Sequence, residues 1–517
     1  MLAHSLTSTF PPRNRRIQLT LLLAALGYLL LPIPVRAQVT FNGVKGNQFV
    51  NFGSEAVASR SATISLPFTI ASSVSTTVGS IGVLTTGITG RDFVQMTGAT
   101  TCTAGTYGAA ANCVINVAFK PLAPGLRLGA VVFYSGKIRT SAVLASIPIY
   151  GIGVGPELAF GPGGTKSNVG SGFISPEGVA VDAGGNVFVT DLVFQRVFKI
   201  APNGTKRGVG GELAVPQAVA VDGAGNVYVA DSGAAAIIKI TPGGLQTTVG
   251  SGFSFPNGIA LDGQGNLFVS DPFLDEVVKV PPTGKQTTIG SGYNTPADVA
   301  VDSAGNVYVA DTFNQTVFKV TPGGKQTMIG KNLVSPSAVA VDAAGDVYIT
   351  DGGTEKLYKV TPGGRQITVA SGLNDPDGVA VDWAGNIYFA NAYDERVIKI
   401  DRSSSPSLHF ATTPMGSTSK DSPRTVLVDN IGNSALKFSA LRYPANFPMG
   451  EASNNCTAST SVASASTCVL AIDFKPVASL GGKPSMNLVG AVTLTTNTFT
   501  FANTKKEVTV SGTETAK

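Results

Sequence analysis

The side chains best placed to bind a ligand follow a proline that recurs every forty residues. The prolines repeat without a slip at Pro176, Pro216, Pro256, Pro296, Pro336 and Pro376. The residue after each proline varies although its neighbours repeat. Variation inside a regular frame indicates a binding position, because the frame itself needs no particular residue there. The candidates are Glu177, Gln217, Asn257, Ser337 and Asp377, with Asp298 in the fourth unit, where Ala297 takes the usual place and the acid follows it.

Three of these candidates, Glu177, Asp298 and Asp377, are carboxylates from different repeats. Oxygen ligands suit a hard divalent cation such as Ca²⁺ or Mg²⁺. The offset of Asp298 by one residue argues against such a site, because successive side chains of a strand point to opposite faces. The alternative is a polar, hydrated rim without a metal. The sequence leaves the presence of a metal open.

Histidine is too scarce for most catalytic chemistry. The chain contains His4 and His409, and His4 lies in a predicted signal peptide. A single remaining histidine excludes a multi-histidine metal site and argues against a nucleophile–histidine–acid arrangement. His409 also falls outside the repeats, in a predicted strand of a flanking segment. The sequence therefore favours a non-catalytic role and leaves open whether the protein is an enzyme.

The composition indicates a folded protein made of short strands. Charged residues make up only 13% of the chain and hydrophobic residues 43%, which excludes a disordered chain. Low charge also excludes a coiled coil. The 61 glycines, together with many Val, Thr and Ser residues, favour strands joined by tight turns.

Each forty-residue unit contains four short β-rich runs bounded by turn residues. In the third unit these runs are 256–262, 265–271, 277–280 and 286–290. A period near forty with four strands is typical of a propeller blade. Between the first two runs stands Asp-x-x-Gly-Asn or Asp-x-x-Gly-Asp, in which the Asp can cap backbone N–H groups and the Gly can take a positive φ. We interpret this ring of acids as turn capping.

Two further patterns concern the outer strands. The sixth unit has no fourth strand of its own, and an unmatched strand of that type, residues 165–170, precedes the first unit. We predict that this strand completes the sixth blade and closes the ring. A lysine also recurs in the third strand of each unit, at Lys199, Lys239, Lys279, Lys319, Lys359 and Lys399. We expect the stem of each lysine to pack between blades and its ammonium group to lie in water.

The repeated run Pro-x-Gly-Val-Ala-Val-Asp, followed by Gly-Asn-Val-Tyr-Val-Ala-Asp, resembles the NHL-repeat family over about residues 156–402. This resemblance implies a six-bladed β-propeller. It implies no single function, because such propellers serve as lyases, sensors and RNA or protein binders. Gluconolactonase-like propellers hold a divalent ion at the channel mouth with carboxylates and Asn. A divalent-metal-dependent lactonase or lyase is therefore the alternative function.

The two segments that flank the repeats share a pattern. Each contains one pair of cysteines and then alternating apolar residues that end in Phe-Lys-Pro, at 119–121 and 474–476. Alternation with regular turns predicts β-sandwiches. Two cysteines per segment in an exported chain predict the local disulfides Cys102–Cys113 and Cys456–Cys468. Each would contribute about 3 kcal/mol by loop closure.

The flanks resemble the Hydin-like or choice-of-anchor-D immunoglobulin-like modules of exported bacterial proteins. The segment 429–436, Asp-Asn-Ile-Gly-Asn-Ser-Ala-Leu, adds to this resemblance. The predicted fold is all-β, with a six-bladed β-propeller and an immunoglobulin-like β-sandwich on each side. The predicted divisions are a signal peptide (1–37), a sandwich (38–155), the propeller (156–402), a linker (403–407) and a second sandwich (408–517).

The N-terminus reads as a secretory signal. A basic stretch precedes a short apolar run, and Val35-Arg36-Ala37 predicts cleavage before Gln38. No later segment is long and apolar enough to span a membrane. Removing the four arginines of residues 1–37 lowers the net charge from +5 to about +1, which argues against a nucleic-acid partner. We expect a secreted, periplasmic or cell-surface location.

The sequence thus favours an exported, non-catalytic binding or scaffold protein with a protein or glycan ligand. In a propeller that begins and ends in one blade, both flanks leave from the face that carries the Asp-x-x-Gly turns. We expect Trp383, in one of those turns, to pack against a flank or the linker. The opposite face would then be free for a ligand, with a mixed polar rim after the second strands at 194–196, 275–276, 314–315, 355–356 and 394–396.

Overall fold

The computed structural model describes residues 39–41, 49–70, 75–161, 163–477, 483–498 and 505–516. The predicted signal peptide, residues 1–37, lies outside the described residues. Nearly all regular structure is β-strand, and the helical structure in the described ranges is the single 3-10 turn η1 (Ala392–Asp394). Across these same ranges, no helix has the length and apolar character needed to cross a bilayer.

The N-terminal flank consists of two sheets around a shared aromatic core. One sheet has the order β1-β3-β9-β7, the other has the order β2-β11-β10-β5-β6, and β4 pairs with β8. The core contains Phe52, Phe68, Phe93 and Phe133. The strands are β1 (Val39–Phe41), β2 (Val50–Ala56), β3 (Ile64–Ile70), β4 (Thr76–Val78), β5 (Ser80–Thr85), β6 (Ile88–Thr89), β7 (Phe93–Met96), β8 (Gly105–Tyr107), β9 (Asn112–Phe119), β10 (Gly125–Tyr134) and β11 (Val143–Val154).

The repeats form six four-stranded antiparallel sheets, which we call blades 1 to 6. Two strands precede them, β12 (Leu158–Phe160) and β13 (Thr165–Asn168). Blade 1 contains β14 (Pro176–Val181), β15 (Val187–Asp191), β16 (Arg196–Ile200) and β17 (Lys206–Val209); blade 2 contains β18 (Pro216–Val221), β19 (Val227–Asp231), β20 (Ala236–Ile240) and β21 (Gln246–Val249); blade 3 contains β22 (Ile259–Leu261), β23 (Leu267–Asp271), β24 (Glu276–Val280) and β25 (Thr287–Thr288).

The remaining blades repeat this arrangement, and blade 6 takes its outer strand from β13. Blade 4 contains β26 (Pro296–Val301), β27 (Val307–Asp311), β28 (Thr316–Val320) and β29 (Gln326–Ile329); blade 5 contains β30 (Pro336–Val341), β31 (Val347–Asp351), β32 (Lys356–Val360) and β33 (Gln366–Ser371); blade 6 contains β34 (Pro376–Val381), β35 (Ile387–Asn391) and β36 (Arg396–Asp401).

The predicted ring closure is confirmed. β13 pairs antiparallel with β36, with Lys166 opposite Ile400. The Val169 N–H extends this ladder by donating to the carbonyl of Val397 at 2.8 Å. The first strands of neighbouring blades contact one another around the whole ring, including β34 with β14. The six sheets therefore form a closed propeller, and the first strands line its central channel.

The Asp-x-x-Gly turns are capped as the sequence predicts. In blade 1, Asp182 Oδ1 accepts hydrogen bonds from the backbone N–H groups of Gly184 and Asn186 at 2.8 and 2.9 Å. Gly185 takes a φ of 74°, which favours glycine. The same carboxylate bonds recur in the other five blades. These acids build turns.

The lysine of the third strand differs from the expectation in two blades, since Lys199 of blade 1 is also buried and its ammonium pairs with Asp182 at 3.3 Å. In blade 2 the Lys239 ammonium lies over the Tyr228 ring at 5.4 Å, and four other blades have the same contact between lysine and ring. Lys359 of blade 5 is instead only 1% exposed, so the expectation that its ammonium lies in water is wrong. Two carboxylates take the place of water: Asp346 at 2.5 Å and Asp429 at 3.3 Å.

The C-terminal flank again has two sheets around aromatic side chains. One sheet has the order β37-β43-β42-β39-β40, and the other has the order β12-β38-β41. The buried core includes Phe410, Phe438 and Phe447. The strands are β37 (Ser407–Pro414), β38 (Arg424–Asn430), β39 (Leu436–Arg442), β40 (Ser461–Val462), β41 (Thr467–Ile472), β42 (Ser485–Thr496) and β43 (Lys505–Thr515).

The Phe-Lys-Pro motif has the same packing role in both flanks. Phe119 and Phe474 each stack on another phenylalanine, with ring centroids 5.0 Å apart in both cases. Each also lies against a glycine of the last strand, where an added Cβ would come within 2.6 Å of the ring in one flank and 2.5 Å in the other. Both predicted disulfides, Cys102–Cys113 and Cys456–Cys468, are present. The immunoglobulin-like assignment of the flanks and the limits of the predicted divisions stay predictions.

Both flanks lie on the propeller face that carries the Asp-x-x-Gly turns, which we call the covered face. The Ala183 N–H of blade 1 donates to Thr86 Oγ1 at 2.6 Å, and the Gly87 N–H donates to the carbonyl of Gly223 at 3.0 Å. On blade 6, an added Cβ at Gly385 would come within 2.3 Å of Ile431. The opposite face, which carries the turns at 191–195 and their equivalents, we call the open face.

The segment between the N-terminal flank and the propeller joins the two flanks. β12 falls in the predicted propeller segment, yet it pairs antiparallel with β38 of the C-terminal flank. The Asn433 side chain accepts from the Gly155 N–H at 2.9 Å and donates to the carbonyl of Gly153 at 2.8 Å. Residues 429–436, whose pattern supported the family resemblance of the flanks, thus form much of this junction.

A buried ionic cluster fixes the C-terminal flank to blade 5. Arg402 follows β36 and is 0% exposed. Its guanidinium donates to Asp429, to the Tyr348 hydroxyl at 2.7 Å and to the carbonyl of Phe160 at 3.3 Å. The Lys359 ammonium contacts the same oxygen of Asp429, Oδ2, at 3.3 Å. The predicted packing of Trp383 fits this arrangement, since it is partly buried and lines a cavity of about 220 Å³ with Ile431 and residues 124–128.

We expect deletion of residues 164–169 to open the ring, because β36 would lose its outer partner and blade 6 would gain an unpaired edge. Thermal unfolding followed by circular dichroism should lose cooperativity or shift downward by more than about 5 °C. The control Ser167→Ala changes an exposed side chain in the same strand and should leave the melting temperature unchanged. Equal melting curves for the deletion and the control would contradict the closure.

We expect Arg402→Leu to lower the free energy of unfolding by about 3–5 kcal/mol, because it leaves the buried Asp429 carboxylate with less compensation. Denaturant unfolding measures this difference. The matched control is Arg424→Leu, which removes a partly exposed pair with Asp421 in the same flank and should cost at most about 1 kcal/mol. Similar losses for both variants would contradict the central role of Arg402.

Candidate functional site

All six predicted ligand residues line one cavity in the central channel. The cavity has a volume of about 270 Å³, and it is lined by Glu177, Gln217, Asn257, Asp298, Ser337 and Asp377. Each of these side chains is partly buried. Leu128, from β10 of the N-terminal flank, lines the same cavity. The flank therefore reaches the channel from the covered face, and the six side chains lie near the open face, where the first strands begin.

Two of the three carboxylates form a pair between blades 6 and 1. Glu177 lies within hydrogen-bonding reach of Asp377, and Ser175 donates its hydroxyl to Glu177 Oε1 at 3.2 Å. Burial and the neighbouring Asp377 charge raise the pKa of Glu177 far above its usual range. Burial also raises the pKa of Asp375, which precedes this pair at the exposed rim.

Asp298 occupies a position that the other five blades leave small. The equivalent residues are Gly178, Ala218, Gly258, Ala338 and Gly378. Asp298 nevertheless lines the cavity, because its carboxylate lies between blades and accepts the Val339 N–H of blade 5 at 2.9 Å. Burial raises its pKa to about 7, and the hydrogen bond from Val339 opposes this rise. The offset in sequence therefore changes the anchoring of this acid without removing it from the channel.

The uncharged candidate residues already make hydrogen bonds within and between blades. The Ser337 hydroxyl donates to the carbonyl of Pro376 in blade 6 at 2.6 Å. The Gln217 amide donates to Ser232 Oγ at 3.2 Å. The Asn257 backbone N–H bonds the carbonyl of Ser270 at 2.9 Å. These contacts position the channel lining.

The carboxylates do not gather into a metal site in the described part of the chain. Within those residues, no group of three His, Cys, Asp or Glu side chains has an arrangement that could hold a metal ion. Glu177 and Asp377 form a pair, whereas Asp298 is tied to the backbone of blade 5.

Buried acids hold the loops of the open face. Asp191 is 0% exposed, and its carboxylate accepts N–H groups of Ile174 at 2.9 Å and of Val193 and Phe194 at 3.1 Å. The acid thus ties the loop between blades to the turn between the second and third strands. The equivalent residues in the other blades make the same type of bond: Asp231, Asp271, Asp311, Asp351 and Asn391.

Sequence reasoning missed the large apolar side chains on these turns. Phe273 is 75% exposed, Phe313 68% and Tyr393 75%, and all three stand two residues after the buried acid or its Asn equivalent. Val193 at the same position is 58% exposed. An apolar residue in a surface turn that breaks the polar pattern is the signal that could have identified them.

The backbone geometry of the turns accounts for part of the predicted polar rim. Its residues include Gln195, Asp275, Gln315, Glu355 and Glu395, and all five have φ between 51° and 56°. This left-handed conformation is set by the turn. The polar residue therefore completes the turn, and the preceding apolar residues present the more distinctive surface.

Comparison with known proteins gives few matches in sequence and many in structure. Residues 293–320 match the NHL repeat family. No curated protein matches the chain. A gluconolactonase from Xanthomonas campestris is 17% identical, with a TM-score of 0.42, over 46% of this chain and 89% of that chain. An auxiliary nutrient binding protein from Bacteroides thetaiotaomicron is 11% identical, with a TM-score of 0.40, over 68% of this chain and 96% of that chain.

A third structure is virginiamycin B lyase from Staphylococcus aureus, 15% identical with a TM-score of 0.37, over 46% of this chain and 82% of that chain. The TM-scores of all three structures are below 0.5. These similarities therefore carry no inference about activity or ligand. The functional argument depends on the site itself.

We expect Glu177→Gln to stabilise the protein increasingly as the pH rises. The raised pKa means that the folded state favours protonated Glu177, so the wild type loses stability as the pH rises above the usual carboxyl pKa. A difference of one unit in pKa between the folded and unfolded states corresponds to about 1.4 kcal/mol in the free energy of unfolding. A change of about 1 kcal/mol in that free energy moves the melting temperature by about 2–4 °C in a domain of this size. The variant should melt at least about 3 °C above wild type at pH 9.

The two proteins should melt together near pH 4, where both side chains are neutral. Glu212→Gln, at an exposed position of the loop before blade 2, is the control and should show no growing difference. A Glu177→Gln difference that does not depend on pH between 4 and 9 would contradict the buried pair.

Proposed function

We propose that this protein is an exported, non-catalytic binding or scaffold protein whose open face binds a protein or glycan ligand. The observation that carries the proposal is the division of the propeller into two faces. Flank residues pack on the turns of the covered face, and Leu128 reaches the channel from that side. The six variable residues and the exposed aromatic turns lie towards the other side.

The chemistry of the open face supports binding. Exposed apolar side chains that lie close together on one face are typical of interaction surfaces. The buried acids behind the turns fix their backbone, so little conformational entropy would be lost when a ligand binds. The channel adds hydrogen-bonding groups of varied type at the centre.

Export has its own support. Both cysteine pairs are joined, and the described residues contain no free cysteine. Disulfides form and persist in oxidising compartments. Together with the predicted signal sequence, they favour a secreted, periplasmic or cell-surface protein.

The test is a screen of the full chain against an oligosaccharide array and a displayed peptide library, followed by variants on each face. We expect Phe313→Ala to weaken binding of the ligand found by about tenfold, as for a central aromatic contact. Leu245→Ala removes an apolar side chain that is 65% exposed on a turn of the covered-face side, and it should have no effect.

Failure to find any ligand, or a ligand that Leu245→Ala weakens and Phe313→Ala does not, would contradict the proposed function. Addition of Ca²⁺ or Mg²⁺ addresses the lactonase or lyase alternative. A rise of several degrees in melting temperature that Asp377→Asn abolishes would favour that alternative.

A further inference from the structure

Most of the strongly exposed apolar side chains on the turns of the open face fall into two groups, which we call ridges; Val334, 48% exposed beside blade 5, lies outside both. Blades 3 and 4 carry Phe273 and Phe313. Blades 6 and 1 carry Tyr393 and Val193, and Phe194 beside Val193 is 44% exposed. In a ring of six blades, the pair 3 and 4 lies opposite the pair 6 and 1. The large side chains therefore stand on two opposite sides of the channel mouth.

Glycines separate the two ridges. The residues equivalent to Phe273 in blades 2 and 5 are Gly233 and Gly353. These blades also lie opposite each other, so the two positions without a large turn side chain define a line across the open face, which we call the trough and which Val215 and Val334 border. Both positions are crowded from the loop between blades: an added Cβ would come within 2.7 Å of Val215 at Gly233 and within 2.6 Å of Val334 at Gly353. Larger residues would not fit there without movement.

The middle of the trough is the channel mouth, and its lining is acidic. The cavity is lined by the carboxylates of Glu177, Asp298 and Asp377, and no Lys or Arg is among its lining residues. Asp375 adds an exposed carboxylate beside this pair. A volume of about 270 Å³ holds about nine water molecules, which is also room for one long side chain.

We propose that the trough binds an extended polypeptide whose central Lys or Arg side chain enters the acidic channel mouth while apolar side chains on either side contact the two ridges. This inference rests on the proposed function and specifies its ligand. The long stem of Lys or Arg suits a narrow channel, because the charged end reaches the carboxylates and the methylenes contact the lining. Burial and the Asp377 charge together raise the pKa of Glu177, and a cation beside the pair would offset the part that is due to Asp377.

Charge complementarity favours this occupant over a neutral glycan. A neutral sugar would supply no positive charge to the acidic channel mouth, so it would gain none of the stabilisation that a Lys or Arg side chain gains beside Asp377. Phe273 and Phe313 lack a polar group with which to bond sugar hydroxyls. A peptide supplies both the cation and the apolar neighbours, and its extended backbone spans the trough.

The test uses the full chain and four libraries of fluorescent nonapeptides, with the central residue fixed as Lys, Arg, Gln or Glu. Binding is measured by fluorescence polarisation. We expect selection from the Lys and Arg libraries only, and at least tenfold weaker binding when the central residue of the best peptide is changed to Gln. Asp377→Asn should reduce the affinity for that peptide by about fivefold or more and should leave its Gln-centred version unchanged.

Phe273→Ala and Phe313→Ala should each weaken the Lys-centred peptide by about tenfold. Leu245→Ala is the matched control and should bind as wild type does. Melting temperatures within about 1 °C of wild type would show that the ridge variants are folded, since these side chains are exposed.

Three results would overturn the inference: equal binding of Gln-centred or Glu-centred peptides, binding of oligosaccharides without peptides, or self-association through the ridges. If one of these ligands still depends on Phe313, the proposed open-face function stands and only the ligand class is wrong. If the binding depends on Leu245 instead, the proposed function fails as well.

Discussion

The architecture depends on the pairing of β13 with β36, which closes the propeller with a strand from before the first repeat. This pairing requires the chain to enter and leave the ring in the same blade. Entry precedes an outer strand and exit follows the third strand, so both connections emerge on the face of the Asp-x-x-Gly turns. The hydrogen-bond ladder of a single edge strand therefore determines on which side both flanks lie.

Contacts between the flanks and the propeller build on this constraint. β12 extends a sheet of the C-terminal flank, and Asn433 binds backbone at the end of the N-terminal flank. Arg402, which follows the last strand of blade 6, binds Asp429 of the C-terminal flank and Tyr348 of blade 5. A buried charge of this kind is stable only with its partners in place, so the cluster favours one arrangement of the domains. Leu128 reaches the channel as part of the same packing.

The open face combines an acidic channel mouth with exposed aromatic side chains on its turns. Buried carboxylates at the channel mouth favour a positive charge, and exposed phenylalanines on fixed turns favour apolar contact. Buried acids such as Asp271 accept hydrogen bonds from the backbone of the open-face loops and turns. These bonds fix the backbone that presents the exposed side chains. The face is therefore preorganised, which suits recognition more than chemistry that requires movement.

The sequence by itself determined the blades, the turns, the closing strand and the disulfides, because each depends on local pattern: the forty-residue period, the Asp-x-x-Gly spacing and paired cysteines. It also identified the six channel residues, since a fixed register carries equivalent positions to the same place. The burial of Lys359 followed only from the tertiary structure, because its second carboxylate partner, Asp429, comes from another domain. The trough also followed only from the tertiary structure. Blades 2 and 5, which carry Gly233 and Gly353, lie opposite each other only because the ring is closed.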